Sequence, residues 1–322
     1  MIEQALNYKN TSDFNLRRRA LHHLLFTALI LVTAGHAAHA APHETSQQIA
    51  ARLTERGMKM MDRGDYKGAR APLLEALQYQ PKNPRIYWGL ARSSYNTMDR
   101  YSQGLDEAEK YLKKAISIDP AYSNSYIQMT EIKNIQGKYD EAITWADKGI
   151  ACQPPQMECY PHKAVALSNL HRHDQALACI DKYLSYKGKD VSFDALEIRA
   201  SVLENAGRYS AAITAYETCY QLKKQDTYLL RQVTCYDLLN KPLEAVKVLD
   251  KLIATNPSDD TALVKRAKFY IKAGKLELAL ADYNKAIKEM SGATYYRERA
   301  ALHKKMGHMD LYAKDMKAAE ND

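Results

Sequence analysis

The sequence predicts an all-α solenoid built from helical hairpins. Three observations predict it: a registered internal repeat, helical spacing of apolar residues within each repeat, and a scarcity of turn-forming residues. Of 322 residues only 13 are glycine and 10 proline, while 26% are charged and 46% hydrophobic. That balance suits a folded chain. It excludes collagen-like, low-complexity, disordered and multispanning membrane classes, and it argues against a turn-rich β architecture.

The repeat begins with four related segments, Gly64-Asp65-Tyr66-Lys67-Gly68-Ala69, Gly137-Lys138-Tyr139-Asp140-Glu141-Ala142, Gly207-Arg208-Tyr209-Ser210-Ala211-Ala212 and Gly274-Lys275-Leu276-Glu277-Leu278-Ala279. Aligned on the final alanine, the series extends to Ala69, Ala108, Ala142, Ala176, Ala212, Ala245 and Ala279, with spacings of 39, 34, 34, 36, 33 and 34 residues. Pro81, Pro120, Pro154 and Pro257 each follow their alanine by twelve residues, an independent mark of the same register. Fixed periods in this range signal stacked supersecondary units.

Each unit reads as two helices. From Thr261, the apolar residues Leu263, Ala267, Tyr270 and Ile271 keep the three-and-four spacing of a helix face; Gly274 interrupts it, and Leu276, Ala279, Leu280, Tyr283, Ala286 and Ile287 resume it. Glycine at the break can take the left-handed conformation that ends a helix, and proline after the second helix stops its continuation. Ala69 and its equivalents are expected to face Gly57, Ala91, Ala164, Ala200 and Ala267, because a close crossing of two helices has room only for small side chains.

With these marks in place, the chain resembles the tetratricopeptide repeat family, whose 34-residue hairpins carry small residues at their eighth and twentieth positions and proline near the thirty-second. The resemblance covers residues 50–322, about seven full units and a terminal capping unit from Ala293, where Gly307, Asp315 and Ala319 mirror Gly274, Asp282 and Ala286. It implies a right-handed superhelix. Tyr183, Cys219 and Leu252 depart from the family by replacing an alanine in three second helices, and the second unit carries about five extra residues around Met98 to Leu105, read as a plain insertion.

Ahead of the array, Arg17-Arg18-Arg19 precedes an apolar run from Leu24 to Ala34, and Ala38 and Ala40 supply an A-x-A cleavage pattern. The run is well short of the roughly 20 residues that cross a bilayer. Residues 1–40 are therefore expected to be a secretory signal peptide cut after Ala40, touching the membrane only transiently, with residues 41–49 as a short linker. An uncleaved N-terminal anchor is the lesser alternative. The expected location is exported, periplasmic or secreted. Four basic and two acidic residues lie in residues 1–40, so the net charge of +8 falls to +6 without them. Acids and bases interleave through nearly every segment, which argues against a nucleic-acid partner.

No phosphate loop, HExxH helix or nucleophile elbow occurs, so no catalytic residue, cofactor or metal is expected and the chain is not read as an enzyme. His171-Arg172-His173 occupies a hairpin turn, with only Cys179 nearby as a further metal-type ligand; exposed turn histidines are the expectation. Five cysteines make an odd set. Cys152 and Cys159 flank one inter-repeat turn, and Cys219 and Cys235 lie on neighbouring helices, giving two candidate disulfides if the chain is exported. The alternative is that all five are small buried hydrophobes.

The family resemblance implies that first helices line a concave groove through the second, fifth, ninth, twelfth and thirteenth positions of each unit. Carried onto this chain, these are Arg85, Trp88, Arg92, Tyr95 and Asn96 in the second unit, Glu158 in the fourth, and Asp194, Glu197, Glu204 and Asn205 in the fifth. Lys268, Lys272, Arg297, Lys304 and Lys305 follow in the last two units. The groove is expected to run aromatic and basic, then acidic, then basic, which suits an extended peptide or a helix. Asn96, Asn169 and Asn205 share one position and are expected to cap helix ends rather than bind a peptide backbone. Thr54 and Met58 stand where the family's chaperone-tail clamp needs lysine and asparagine, which argues against that adaptor role. The expected function is a non-enzymatic scaffold binding a protein or extended peptide; the alternative is a regulatory or assembly subunit of an envelope enzyme complex, such as polysaccharide export or cofactor assembly.

Overall fold

The computed structural model describes residues 44–97, 103–188, 190, 192–290 and 292–321. The expected signal peptide, residues 41–43 of the linker and residues 98–102 of the insertion lie outside these described residues. Sixteen α-helices and no strands occur among the described residues, arranged as eight hairpins. These are α1 (Ser46–Asp62) with α2 (Tyr66–Tyr79), α3 (Pro84–Thr97) with α4 (Gln103–Ile118), α5 (Asn124–Ile135) with α6 (Tyr139–Ile150), and α7 (Cys159–Asn169) with α8 (His173–Lys187). The second half pairs α9 (Phe193–Asn205) with α10 (Tyr209–Lys223), α11 (Asp226–Leu238) with α12 (Pro242–Thr255), α13 (Asp260–Lys272) with α14 (Leu276–Glu289), and α15 (Ala293–Lys305) with α16 (Met309–Ala318). No described helix is long and apolar enough to cross a membrane.

Sequence-coded signals start and stop these helices. Thr45 and Gln48 form a reciprocal capping box on α1, and the Asp65 and Asp259 carboxylates accept the Gly68 and Ala262 backbone N–H groups at the starts of α2 and α13. Among the described residues, seven hairpins turn through one left-handed residue, including Gly137 (φ 70°), Gly207 (φ 71°) and Gly274 (φ 73°). The following N–H then bonds five residues back, as from Lys138 to the Lys133 carbonyl at 2.9 Å and from Lys275 to Tyr270 at 2.8 Å. This closure satisfies a carbonyl the helix end would otherwise leave open. His171 and Asn240 take the left-handed position in the fourth and sixth units, with φ of 59° and 52°.

Small residues sit at the crossings as expected. Ala69, Ala108, Ala142, Ala176, Ala212, Ala245 and Ala279 are completely buried, as are Ala91, Ala164, Ala200 and Ala267. A methyl group at Gly57 would come within 2.7 Å of Leu73 Cγ and 3.2 Å of the Ala69 carbonyl. Tyr183, Cys219 and Leu252 are also buried, so larger side chains are accommodated at those three junctions. The extra length of the second unit is partly helical: Gln103, Gly104 and Leu105 belong to α4, and Leu105 joins the core with Ala91, Ala108 and Leu112.

Successive first helices touch one another, α1 with α3, α3 with α5, α5 with α7 and α7 with α9, while no pair of successive second helices packs to a comparable degree. First helices therefore form the inner, concave wall. Partly buried ion pairs tie helices together both between and within units. Arg70 donates twice to Glu107, at 2.5 and 3.0 Å, and Lys133 reaches both Glu109 and Glu141 at 2.9 and 2.8 Å. Arg266–Asp282 recurs in the terminal unit as Arg299–Asp315, each pair bidentate at 2.9 and 2.7 Å.

All five cysteines are free thiols, so neither expected bridge is formed in this structure. For Cys152 and Cys159 the geometry gives the reason. Cys159 Sγ fills the space beside Gly149, where an added methyl would meet it at 2.5 Å, whereas Cys152 Sγ is directed to the Lys148 and Pro120 carbonyls at 3.4 and 3.8 Å. Cys152 also lies in the turn beyond α6, not at that helix's end. Burial pushes Cys159 up to about 12 and Cys219 and Cys235 up to about 11.

Candidate functional site

Two clefts open on the concave wall, one in each half of the array. The first, of about 290 Å³, lies between α3 and α5 and is lined by Trp88, Arg92, Tyr95 and Asn96 together with Asn124, Ile127, Gln128 and Glu131. Trp88 is half-buried, packing inward against the cores of the first two units and edge-on to Tyr122 at 6.5 Å. Its other face carries the Arg92 guanidinium at 5.8 Å from the ring centroid, a cation–π contact, while Arg92 also lies 3.7 Å from Asp62. Tyr95 donates to Glu131 at 3.0 Å. The Asn96 and Asn169 amides donate to the carbonyls four residues earlier on their own helices, at 2.8 and 2.9 Å, carbonyls that the helix already engages rather than the open ones a cap would satisfy.

The second cleft, of about 340 Å³, is bounded by α7, α9 and α11 and holds Asp194, Glu197 and Asn205 beside Ser168, Asn169 and Ile198, closed by Tyr216, Tyr228 and Arg231. Asn205 also departs from the capping expectation, donating to Ser168 Oγ at 3.3 Å on the neighbouring unit. Tyr216 and Tyr228 stack at 6.4 Å, and Phe193 meets Tyr228 edge-on at 5.8 Å. The phenols face acids: Tyr216 donates to Glu204 at 2.5 Å and Tyr228 to Glu197 at 3.3 Å. Burial, reinforced by Glu197, pushes the Tyr228 phenol up to about 12, and burial with the Glu204 hydrogen bond moves Tyr216 up as well. Both phenols remain protonated donors at neutral pH. Glu204 is shared between Tyr216 and Arg231, the latter at 3.4 Å, so it lies beneath the cleft wall.

The remaining expected groove residues join neither cleft. Arg85 pairs with Glu55 at 3.2 Å and Glu158 with Lys187 at 2.9 Å. Lys268 pairs with Glu298 at 2.8 Å, and Lys272 with Asp237. Arg297, Lys304 and Lys305 are exposed on α15. The basic stretch expected in the seventh unit is thus neutralised by its neighbours, because acids of adjoining first helices stand opposite those lysines. Position counting, applied to the third unit, also finds Asn124, Ile127 and Glu131. Gln128, Ile198 and Arg231 share the next position after the fifth; Gln128 and Ile198 enter because α5 and α9 pack on the preceding first helices, and Arg231 because it reaches from α11 to Glu204 on α9. Tyr216 comes from a second helix and carries no such positional signal.

Among the described residues no group of three or more histidine, cysteine, aspartate or glutamate side chains converges to hold a metal. His171 and His173 stack edge-on at 5.7 Å in their turn.

The sequence pattern of the tetratricopeptide repeat family matches residues 55–123, 163–226 and 239–293, more than half of the chain, and the chain belongs to that family. It is similar to small glutamine-rich tetratricopeptide repeat-containing protein 2 of Saccharomyces cerevisiae, 34% identical over 91 residues, covering 28% of this chain and 25% of that protein. It is also similar to the TPR repeat-containing protein MJ1428 of Methanocaldococcus jannaschii, 27% identical over 201 residues, covering 61% of this chain and 33% of that one. The chain spans a third or less of the length of the curated relatives it matches. Among solved structures, PilW, described as a type IV pilus biogenesis factor, superimposes with a TM-score of 0.58 at 20% identity over 65% of this chain and 94% of that one, a likeness of fold. The molecule is an all-α superhelix of repeats, a fold that generally serves as a non-enzymatic scaffold for protein interaction.

Proposed function

We propose that this protein is an exported scaffold that holds another protein, through an extended peptide segment, in the concave groove of its superhelix. One observation carries the reading: aromatic, arginine and carboxylate side chains from successive first helices converge in two clefts on the inner wall. Aromatic and arginine anchors in pockets are the residue types that dominate binding energy at protein interfaces. Export rests on the basic, apolar and small-residue succession of residues 17–40.

The test begins with crosslinking in the native compartment to identify the captured protein, followed by titration. Trp88→Phe combined with Arg92→Ala keeps an aromatic ring against the core and removes the cleft's outer face. It is expected to weaken capture by roughly 1–2 kcal/mol. Lys110→Ala with Lys114→Ala, exposed on α4, is expected to leave capture nearly unchanged. Equal losses from both pairs would reject the groove. Intact mass of the native protein addresses export: a chain starting at Ala41 agrees with it, and retention of Met1 contradicts signal cleavage.

A further inference from the structure

Hydrogen-bonding capacity along the middle of the groove is unbalanced toward acceptors. On α5, Gln128 is 6% exposed and its Oε1 has no donor, although the residue lines the first cleft. Further along the same helix, the Asn134 amide nitrogen donates to the His162 carbonyl at 2.9 Å and its Oδ1 is also buried without a donor, although Asn134 lines neither cleft. A buried acceptor left unmade costs free energy that a ligand donor recovers. In the second cleft Asp194 and Glu197 are exposed carboxylates outside every ion pair among the described residues, and Glu197 receives only the Tyr228 hydroxyl. Of the cations nearby, Arg231 is engaged with Glu204, and Lys223 lies over the Phe193 ring, 3.7 Å from its centroid, without a carboxylate partner among the described residues.

We infer that the groove from α5 to α11 takes an extended peptide segment bearing lysine or arginine. One of its backbone N–H groups would satisfy the Gln128 amide oxygen, and its cationic side chain would enter the second cleft between Asp194 and Glu197. The apolar stem of that side chain lies along Ile198 and the Tyr228 ring, as such stems do on apolar surface. Cation and carboxylate are complementary, and an acidic cleft repels phosphate-bearing partners. The inference rests on the groove reading above and specifies the chemistry of its occupant.

The purified chain is panned against a phage-displayed library of random twelve-residue peptides, and the selected sequences are synthesised and titrated. The expected result is enrichment in lysine or arginine, with Asp194→Asn plus Glu197→Gln weakening the best peptide at least tenfold. That variant changes two exposed side chains, and helical circular dichroism checks that it folds. Peptides that lose binding with Trp88→Phe plus Arg92→Ala but carry no basic enrichment, or ignore the Asp194 and Glu197 changes, would overturn the inferred chemistry and leave the groove reading standing. No selected peptide, or binding indifferent to both double variants, would overturn both.

Discussion

Gly149 illustrates how single residues set the spacing of this molecule. A methyl group there would lie 2.5 Å from Cys159 Sγ and 2.9 Å from Tyr126 Cβ, both on first helices packed against α6. Gly149→Ala is expected to destabilise the chain by roughly 1–3 kcal/mol, the usual cost of overpacking, measured as a shift in urea midpoint. The same close contact governs the thiols. With Cys159, Cys219 and Cys235 completely buried and Cys152 only partly so, iodoacetamide should label Cys152 well before those three, and denatured protein isolated without reductant should yield five alkylatable thiols. Four would-be disulfide cysteines found protected after denaturation would contradict this. At this scale the sequence was informative about burial and silent about direction. The turn between Cys152 and Cys159 is short enough to suggest a bridge, but which way each sulfur points depends on Gly149 and the Pro120 carbonyl, contacts that no spacing reveals.

The hairpin element depends on one left-handed residue per turn. His171 holds φ of 59° where most units use glycine, and a non-glycine residue pays roughly 1–2 kcal/mol in that conformation. His171→Gly removes this strain against the greater entropy of glycine in the unfolded chain, so the net gain is expected to reach up to about 1 kcal/mol. Thermal unfolding by circular dichroism measures it, and a loss of stability would show that the imidazole makes a contact that outweighs the strain. Helix pairs, turns and the terminal unit were legible in the sequence because each repeats a local rule of register. The clefts were only half legible. Family positions name Trp88, Arg92, Asp194 and Glu197, but Gln128 enters through the packing of α5 on α3, Arg231 through its reach to Glu204, and Tyr216 from a second helix. The neutralised lysines follow the same logic, since Lys268 and Lys272 meet acids on adjoining units that a single unit's pattern does not contain.

Over the whole molecule, ion pairs between units link stability to pH. Hydrogen bonds from Arg70 hold Glu107 below the ordinary value of 4.5; burial raises Glu109, but Lys113 and Lys133 outweigh it and hold that carboxyl low as well. Groups depressed on folding contribute stability that is fully present above their unfolded value and is lost as pH falls through the folded one. The urea midpoint should therefore fall on acidification below about pH 4.5, and Arg70→Met should flatten that dependence by removing the partner of Glu107. A midpoint unchanged by Arg70→Met at every pH would remove this link. The concave wall makes the larger claim, that the superhelix works by holding a polypeptide along its inner helices. A photo-crosslinking amino acid placed at Arg92 tests it most directly when compared, in the native compartment, with the same group placed at Lys114 on the second helix of that unit. The account predicts a discrete protein adduct from position 92 and none from position 114; equal adducts from both, or an adduct from position 114 alone, would contradict it.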